Sequence, residues 1–94
     1  MSANTQTTHA ALNLDSMRAD IARVLHEEPD EIGDHDSLID LGLDSIRAMA
    51  LVTQWRAAGA DLQFSELAET PTLAHWWHVA EQALARAAKG SSPA

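Results

Sequence analysis

Ninety-four residues without a cysteine make at most one small domain, held together by helix packing rather than by disulfides or thiolate-bound metal. The formal net charge of −8 argues against a nucleic-acid partner, because neutralising phosphates needs a basic face. The longest uncharged apolar run falls far below the ~18 residues of a membrane helix. The start, MSANTQTTHAALN, has neither the basic nor the apolar region of a secretion signal, so a cytoplasmic protein with no membrane partner is expected.

Residues 1–12 are small, polar and aperiodic, the composition of a disordered segment. A helix is predicted from Leu14, because Leu14, Met17, Ile21, Val24 and Leu25 recur at helical spacing. Asn13 or Asp15 can cap it, and Pro29 is expected to stop it near Glu28. The next stretch, PDEIGDHDSLIDLGLD, has no helical period and reads as a long loop. Its Ile32, Leu38, Ile39, Leu41 and Leu43 are too apolar for a free loop, so several of them are expected to plug the core.

A second helix starts at Asp44–Ser45 with Asp44 as N-cap. It runs through Ile46, Met49, Leu51, Val52 and Trp55 and ends near Gly59, placed as the residue just past the C-cap. DLQFSELAE predicts a short third helix over roughly 64–69. Thr70 then caps a fourth helix with Pro71 at its first position. Leu73, Trp76, Trp77, Ala80, Ala83, Leu84 and Ala87 give that helix the strongest periodicity in the chain. KGSSPA reads as a frayed tail, and no segment alternates with the period of a strand. The predicted fold is all-α: a small four-helix bundle of three longer helices and a short helix 3. Its parts are a disordered segment 1–12, a domain 13–88 and a flexible tail 89–94. Met1 and that tail read as a free-standing protein, although an excised domain would look the same.

Charge is concentrated rather than spread. Eight carboxylates lie from Glu27 to Asp44 with no Lys or Arg among them, and the other six acidic residues balance the six basic ones. The whole net charge therefore precedes Ser45. Such a run is either a solvated acidic loop or a field that steers a basic partner to that serine.

Several chemistries fail on spacing. A serine nucleophile needs a histidine in reach, yet none of His9, His26, His35, His75 and His78 is spaced to meet Ser45, and the G-x-S-x-G elbow is absent. No carboxylate stands at i−4 from His75 or at i+4 from His78, where Pro71 and Gln82 lie instead. The acidic loop lacks the residue order of a calcium loop. No catalytic residue and no metal are expected. Ser45 at a helix start either helps the cap or, since Asp44 already fills that role, projects unneeded. A hydroxyl without its own base, at an anion-tolerant helix start, suits modification by another enzyme. Gly42 lets the chain turn closely before it.

LGLDSIRAMAL resembles the attachment motif of carrier proteins in nonribosomal peptide, polyketide and fatty-acid synthesis, and the resemblance runs over residues ~15–88. With Arg47 after GLDS, the MALVTQWR run and the tryptophan pair of PTLAHWW, the chain is most similar to the aryl carrier proteins of siderophore assembly, including those fused to isochorismatases. The resemblance implies an acyl-carrier-protein-like bundle and 4′-phosphopantetheine on Ser45. A phosphopantetheinyl transferase would donate it from coenzyme A, with Mg²⁺ and with Asp44 orienting the transfer. The thiol missing from the chain would arrive with that cofactor. An aryl acid such as salicylate or 2,3-dihydroxybenzoate would be loaded as a thioester by an adenylating ligase and removed by a condensation or cyclisation domain.

Ile46 should then face outward beside Ser45, with Phe64 and Ala68 completing an apolar docking patch that Leu43, Arg47 and Met49 also serve. Phe64 could instead cover the core, Arg47 could be a local ion pair, and Trp55, Trp76 and Trp77 read as core. The protein is expected to be a monomeric, non-catalytic tether. Two alternatives stay open: a peptidyl or acyl carrier with amino-acid or alkyl cargo, and an unmodified acidic helical adaptor.

Overall fold

Asn13 opens the first helix, α1 (Leu14–Leu25), of a computed structural model that describes residues 12–90. Its side chain accepts from the Ser16 N–H at 2.8 Å, while the Ser16 hydroxyl oxygen accepts from the Asn13 N–H at 3.0 Å. That reciprocal pair satisfies two donors a helix start leaves orphaned, so Asn13 and not Asp15 is the cap. Met17, Ile21, Ala22 and Leu25 form the buried face.

The helix ends sooner than its proline suggests. His26 takes the left-handed conformation (φ 60, ψ 40), and its N–H reaches back to the carbonyls of Ala22 and Arg23. Pro29 instead begins a separate 3₁₀ turn, Pro29–Glu31. A left-handed cap strains any residue with a Cβ. His26→Gly is therefore expected to raise stability by about 0.5–1 kcal/mol, after the flexibility glycine adds to the unfolded chain is counted. A shift of the urea midpoint to higher concentration with an unchanged slope would show it.

The acidic loop is pinned rather than free. The Arg18 guanidinium donates to the Ile32 carbonyl at 2.6 Å and to the Asp34 carboxylate at 2.7 Å. The Leu38 N–H donates to the Pro71 carbonyl at 2.8 Å, and the Ala74 N–H to the Asp34 carbonyl at 2.9 Å. Ile32, Leu38 and Leu43 drop into the core and Leu41 is half-buried, whereas Ile39 stays 55% exposed.

Helix α2 (Ser45–Ala57) buries Ala48, Leu51, Val52 and Trp55 at i, i+3, i+4 and i+7. Its exit is a Schellman turn. Gly59 at φ +107 donates to the Arg56 carbonyl at 3.0 Å, and buried Ala60 donates to the Trp55 carbonyl at 3.1 Å. Helix α3 (Phe64–Glu69) spans α2 and α4 (Leu73–Gly90), and α1 packs on both longer partners. Trp55 and Trp76 meet edge to face at the centre, with centroids 6.0 Å apart and planes at 75°. Each indole N–H has an acceptor: Asp20 for Trp55 and the Leu67 carbonyl for Trp76, both at 2.8 Å. Trp77 is half-buried against the same core.

Besides the end of α1, three boundaries differ from the sequence reading. The α4 cap is Thr72, whose hydroxyl accepts from the His75 N–H at 3.2 Å, because Pro71 is occupied as acceptor for Leu38 rather than serving as first helical residue. The helix continues to Gly90, two residues into the expected tail. Leu12, assigned to a disordered segment, is only 7% exposed. The rest of that segment, 1–11, and residues 91–94 lie outside the described residues. Among the described residues there is no strand, and no helix is long and apolar enough to cross a membrane.

Candidate functional site at the start of helix α2

A tight turn delivers the chain into α2. The Leu43 N–H donates to the Leu38 carbonyl at 2.9 Å and the Gly42 N–H to the Ile39 carbonyl at 3.0 Å. Gly42 sits at φ +112, although a Cβ there would meet nothing within 4 Å. Glycine is required by backbone conformation and not by crowding. Asp44 follows in extended geometry, and its Oδ1 accepts from the Arg47 N–H at 2.8 Å. The cap thus uses one carboxylate oxygen. The other has only a loose pairing with the Arg47 guanidinium at 3.9 Å, and that group also leans on the Gly42 carbonyl at 3.4 Å.

Ser45 is the first residue of α2 and is exposed. Among the described residues no group hydrogen-bonds its hydroxyl. Asp44 having taken the cap, the Ser45 side chain is free, and the first-turn N–H groups beside it present a field that favours an anion.

An apolar groove of about 130 Å³ opens next to the serine, walled by Ile39, Leu43, Ser45, Phe64, Ala68 and Trp76. The residues expected to dock partners divide over this surface. Ile46 is 80% and Met49 47% exposed, and Ala68 also stands open to solvent. Arg47 is exposed but tied to Asp44 and Gly42. Phe64 is half-buried, packing on the core while lining the groove. Leu43, 3% exposed, is held in the core and floors the groove. The turn decides this, because the Leu38–Leu43 hydrogen bond draws both side chains inward and leaves Ile39 outside.

The α4 histidines turn elsewhere. His75 Nε2 lies 3.0 Å from the Glu66 carbonyl, and His78 Nε2 lies 3.3 Å from the Gln82 amide. They line a separate cleft of about 240 Å³ with Glu66, Glu69 and Arg86. The fold thus brings in carboxylates from α3 that spacing along α4 alone does not reveal. Among the described residues no three such side chains are placed to hold a metal ion.

The sequence profile of the phosphopantetheine attachment site family matches residues 15–76, a span holding α1, the acidic loop, α2, α3 and the start of α4. The chain belongs to that family.

Domains of this family are non-catalytic tethers that carry 4′-phosphopantetheine covalently, and the present chain is such a carrier. It is 50% identical over 62 residues to an isochorismatase of Bacillus subtilis, a match covering 66% of this chain and 20% of that protein. It is 43% identical over 70 residues to the acyl carrier protein ScoB of Streptomyces coeruleorubidus, covering 74% and 82% respectively. It is 51% identical over 53 residues to enterobactin synthase component B of Escherichia coli, covering 56% and 19%. The chain therefore spans about a fifth of two of these relatives and most of the third. No solved structure matches it at a significant level.

Proposed function

We propose that Ser45 is the attachment point and that the tethered cargo is an aryl acid, salicylate or 2,3-dihydroxybenzoate in class, handed on during nonribosomal siderophore assembly. The observation that carries the first part is an exposed, unbonded hydroxyl at the start of α2, inside the span that matches the family. A phosphodiester there needs no neighbour to move and meets the favourable end of a helix dipole. The group supplies a thiol for thioester formation, which a chain without cysteine otherwise lacks.

The residues around it divide the remaining work. Asp44 holds the first turn through Oδ1 and has Oδ2 left to orient the transfer, as a ligand to Mg²⁺ in the transferase complex. Ile46, Met49, Phe64 and Ala68 offer a small apolar face that a ligase and a condensation or cyclisation domain use in turn. Tethering raises the effective concentration of the cargo at each of them.

The likeness to an isochorismatase and to an enterobactin synthase component supports aryl cargo. The likeness to ScoB, which runs over most of that acyl carrier, favours a second reading, an alkyl or aminoacyl cargo. Membership in the attachment family leaves the unmodified acidic adaptor without support.

Intact-protein mass, read before and after incubation with coenzyme A, Mg²⁺ and a broad-specificity phosphopantetheinyl transferase, tests the attachment. A gain of one phosphopantetheine unit is expected. No gain from a starting mass that excludes prior modification would end the proposal. Offering the modified protein salicylate, 2,3-dihydroxybenzoate, amino acids and alkyl acids with their ligases then separates the two cargo readings. Phe64→Ala is expected to slow unloading severalfold while far-UV helicity stays intact, since the ring is only half-buried. Loss of helicity would instead assign Phe64 to the core.

A further inference from the structure

Helix α3 is six residues long, buries only Leu67, and has an N-cap, Gln63, whose side chain makes no capping hydrogen bond. A helix that short does not persist on its own. The last four carbonyls of any helix lack a partner within it, here those of Glu66 to Glu69. Two consecutive ones are taken by two consecutive side chains of α4. The His75 ring donates from Nε2 to the Glu66 carbonyl at 3.0 Å, and the Trp76 indole N–H donates to the Leu67 carbonyl at 2.8 Å. Because a carbonyl only accepts, the imidazole carries its proton on Nε2.

The two halves of this clamp differ. Trp76 is a core residue that holds the bundle as well as α3. His75 is half-buried, and the Glu66 carbonyl is the partner of its ring. Glu66 also gives the clamp something to resist. Its Oε1 atom is buried with no hydrogen-bond partner among the described residues. A buried acceptor left unpaired is costly, and an outward shift of α3 would hydrate it.

What the clamp holds in place is one wall of the groove beside Ser45, to which α3 contributes Phe64 and Ala68. His75 does not line that groove. It borders the separate cleft with Glu66 and Glu69, so it reaches the groove through α3 and not by contact with the cargo. Resting on the proposed role of Phe64 in unloading, we infer that His75 is a positioning residue for transfer from the tether. Its hydrogen bond to Glu66 fixes where the Phe64 ring stands. The loaded protein then engages the enzyme that takes its cargo without first ordering α3, which lowers the cost of that encounter.

The test compares wild type, His75→Leu and His75→Gln as full chains. Leucine removes the donor, whereas the glutamine amide returns an N–H close to the place of Nε2. In the unmodified proteins, amide exchange over residues 64–69 should quicken about tenfold in His75→Leu, as loss of one net hydrogen bond implies. The amides of α1 and α2 should keep their protection. Each protein is then loaded with 2,3-dihydroxybenzoate and given to a condensation domain that unloads the wild type. His75→Leu should raise KM about fivefold and leave kcat nearly unchanged, and His75→Gln should restore both exchange and KM. In a Phe64→Ala background His75→Leu should change KM by less than about twofold, because the side chain being positioned is gone. Unchanged exchange over 64–69 in His75→Leu would overturn the clamp. An equal rise in KM with and without the Phe64 ring would overturn its action through that ring. Phe64→Ala unloading at the wild-type rate would instead remove the docking reading on which the inference rests.

Discussion

Ser45→Ala should give a folded protein that gains no mass with coenzyme A and a transferase under any conditions in which the wild type is fully converted. The two halves of this expectation rest on different observations. The hydroxyl is exposed and bonded to nothing among the described residues, so its removal breaks no hydrogen bond. Alanine is a better helix former than serine by about 0.5 kcal/mol, and stability should hold or rise slightly. Asp44→Ala makes the contrast. It keeps the hydroxyl but removes the acceptor of the Arg47 N–H, and loss of such a cap costs about 1 kcal/mol. The alanine at position 45 thus abolishes modification without moving the urea midpoint, whereas the alanine at 44 moves the midpoint and slows modification. Residual mass gain in the Ser45 variant would place the attachment elsewhere.

The largest effect on stability should come from Trp55→Ala, at about 3–5 kcal/mol. Trp55 is wholly buried, packs edge to face on Trp76, and donates its indole N–H to Asp20 across the α1–α2 interface. Truncation leaves a cavity between the helices and strips that carboxylate, whose side chain is only 15% exposed, of one of its donors. Arg23 at 3.0 Å remains. Trp55→Phe separates the two contributions, keeping most of the apolar surface while removing the N–H. It should cost about 1–2 kcal/mol. For a domain this small, whose total stability is on the order of 5–10 kcal/mol, the alanine variant is expected to be largely unfolded at modest urea. A shift below about 1 kcal/mol in that variant would contradict such tight packing around the indole.

Both predictions concern one helix with two faces. Ala48, Leu51, Val52 and Trp55 hold it to the bundle, and Ser45, Ile46 and Met49 face outward. The inward face determines how rigidly the outward one is presented. The acidic run adds negative charge beside that face without contributing to the core, because its carboxylates stay at the surface.

What can be read from neighbouring residues was legible in the sequence alone. The apolar spacing of α1, α2 and α4, the short helix at Phe64–Glu69, the Asp44 cap and the glycine exit after α2 all depend on interactions within a turn or two, where local propensity decides. The Gly-Leu-Asp-Ser motif belongs with them, since it is a turn followed by a cap. The rest was settled by interactions between residues distant in sequence. Five aliphatic residues in an aperiodic loop offer no rule for which face inward. Leu38 is drawn in by a hydrogen bond to Pro71, and Ile32 is fixed by Arg18. Once Leu38 and Leu43 close their turn, Ile39 is left outside and Leu43 becomes core. The same Pro71 hydrogen bond moves the α4 cap to Thr72. Periodicity assigns faces only where backbone hydrogen bonds are local; in the loop they are tertiary, so only the folded bundle could decide which apolar side chains border Ser45.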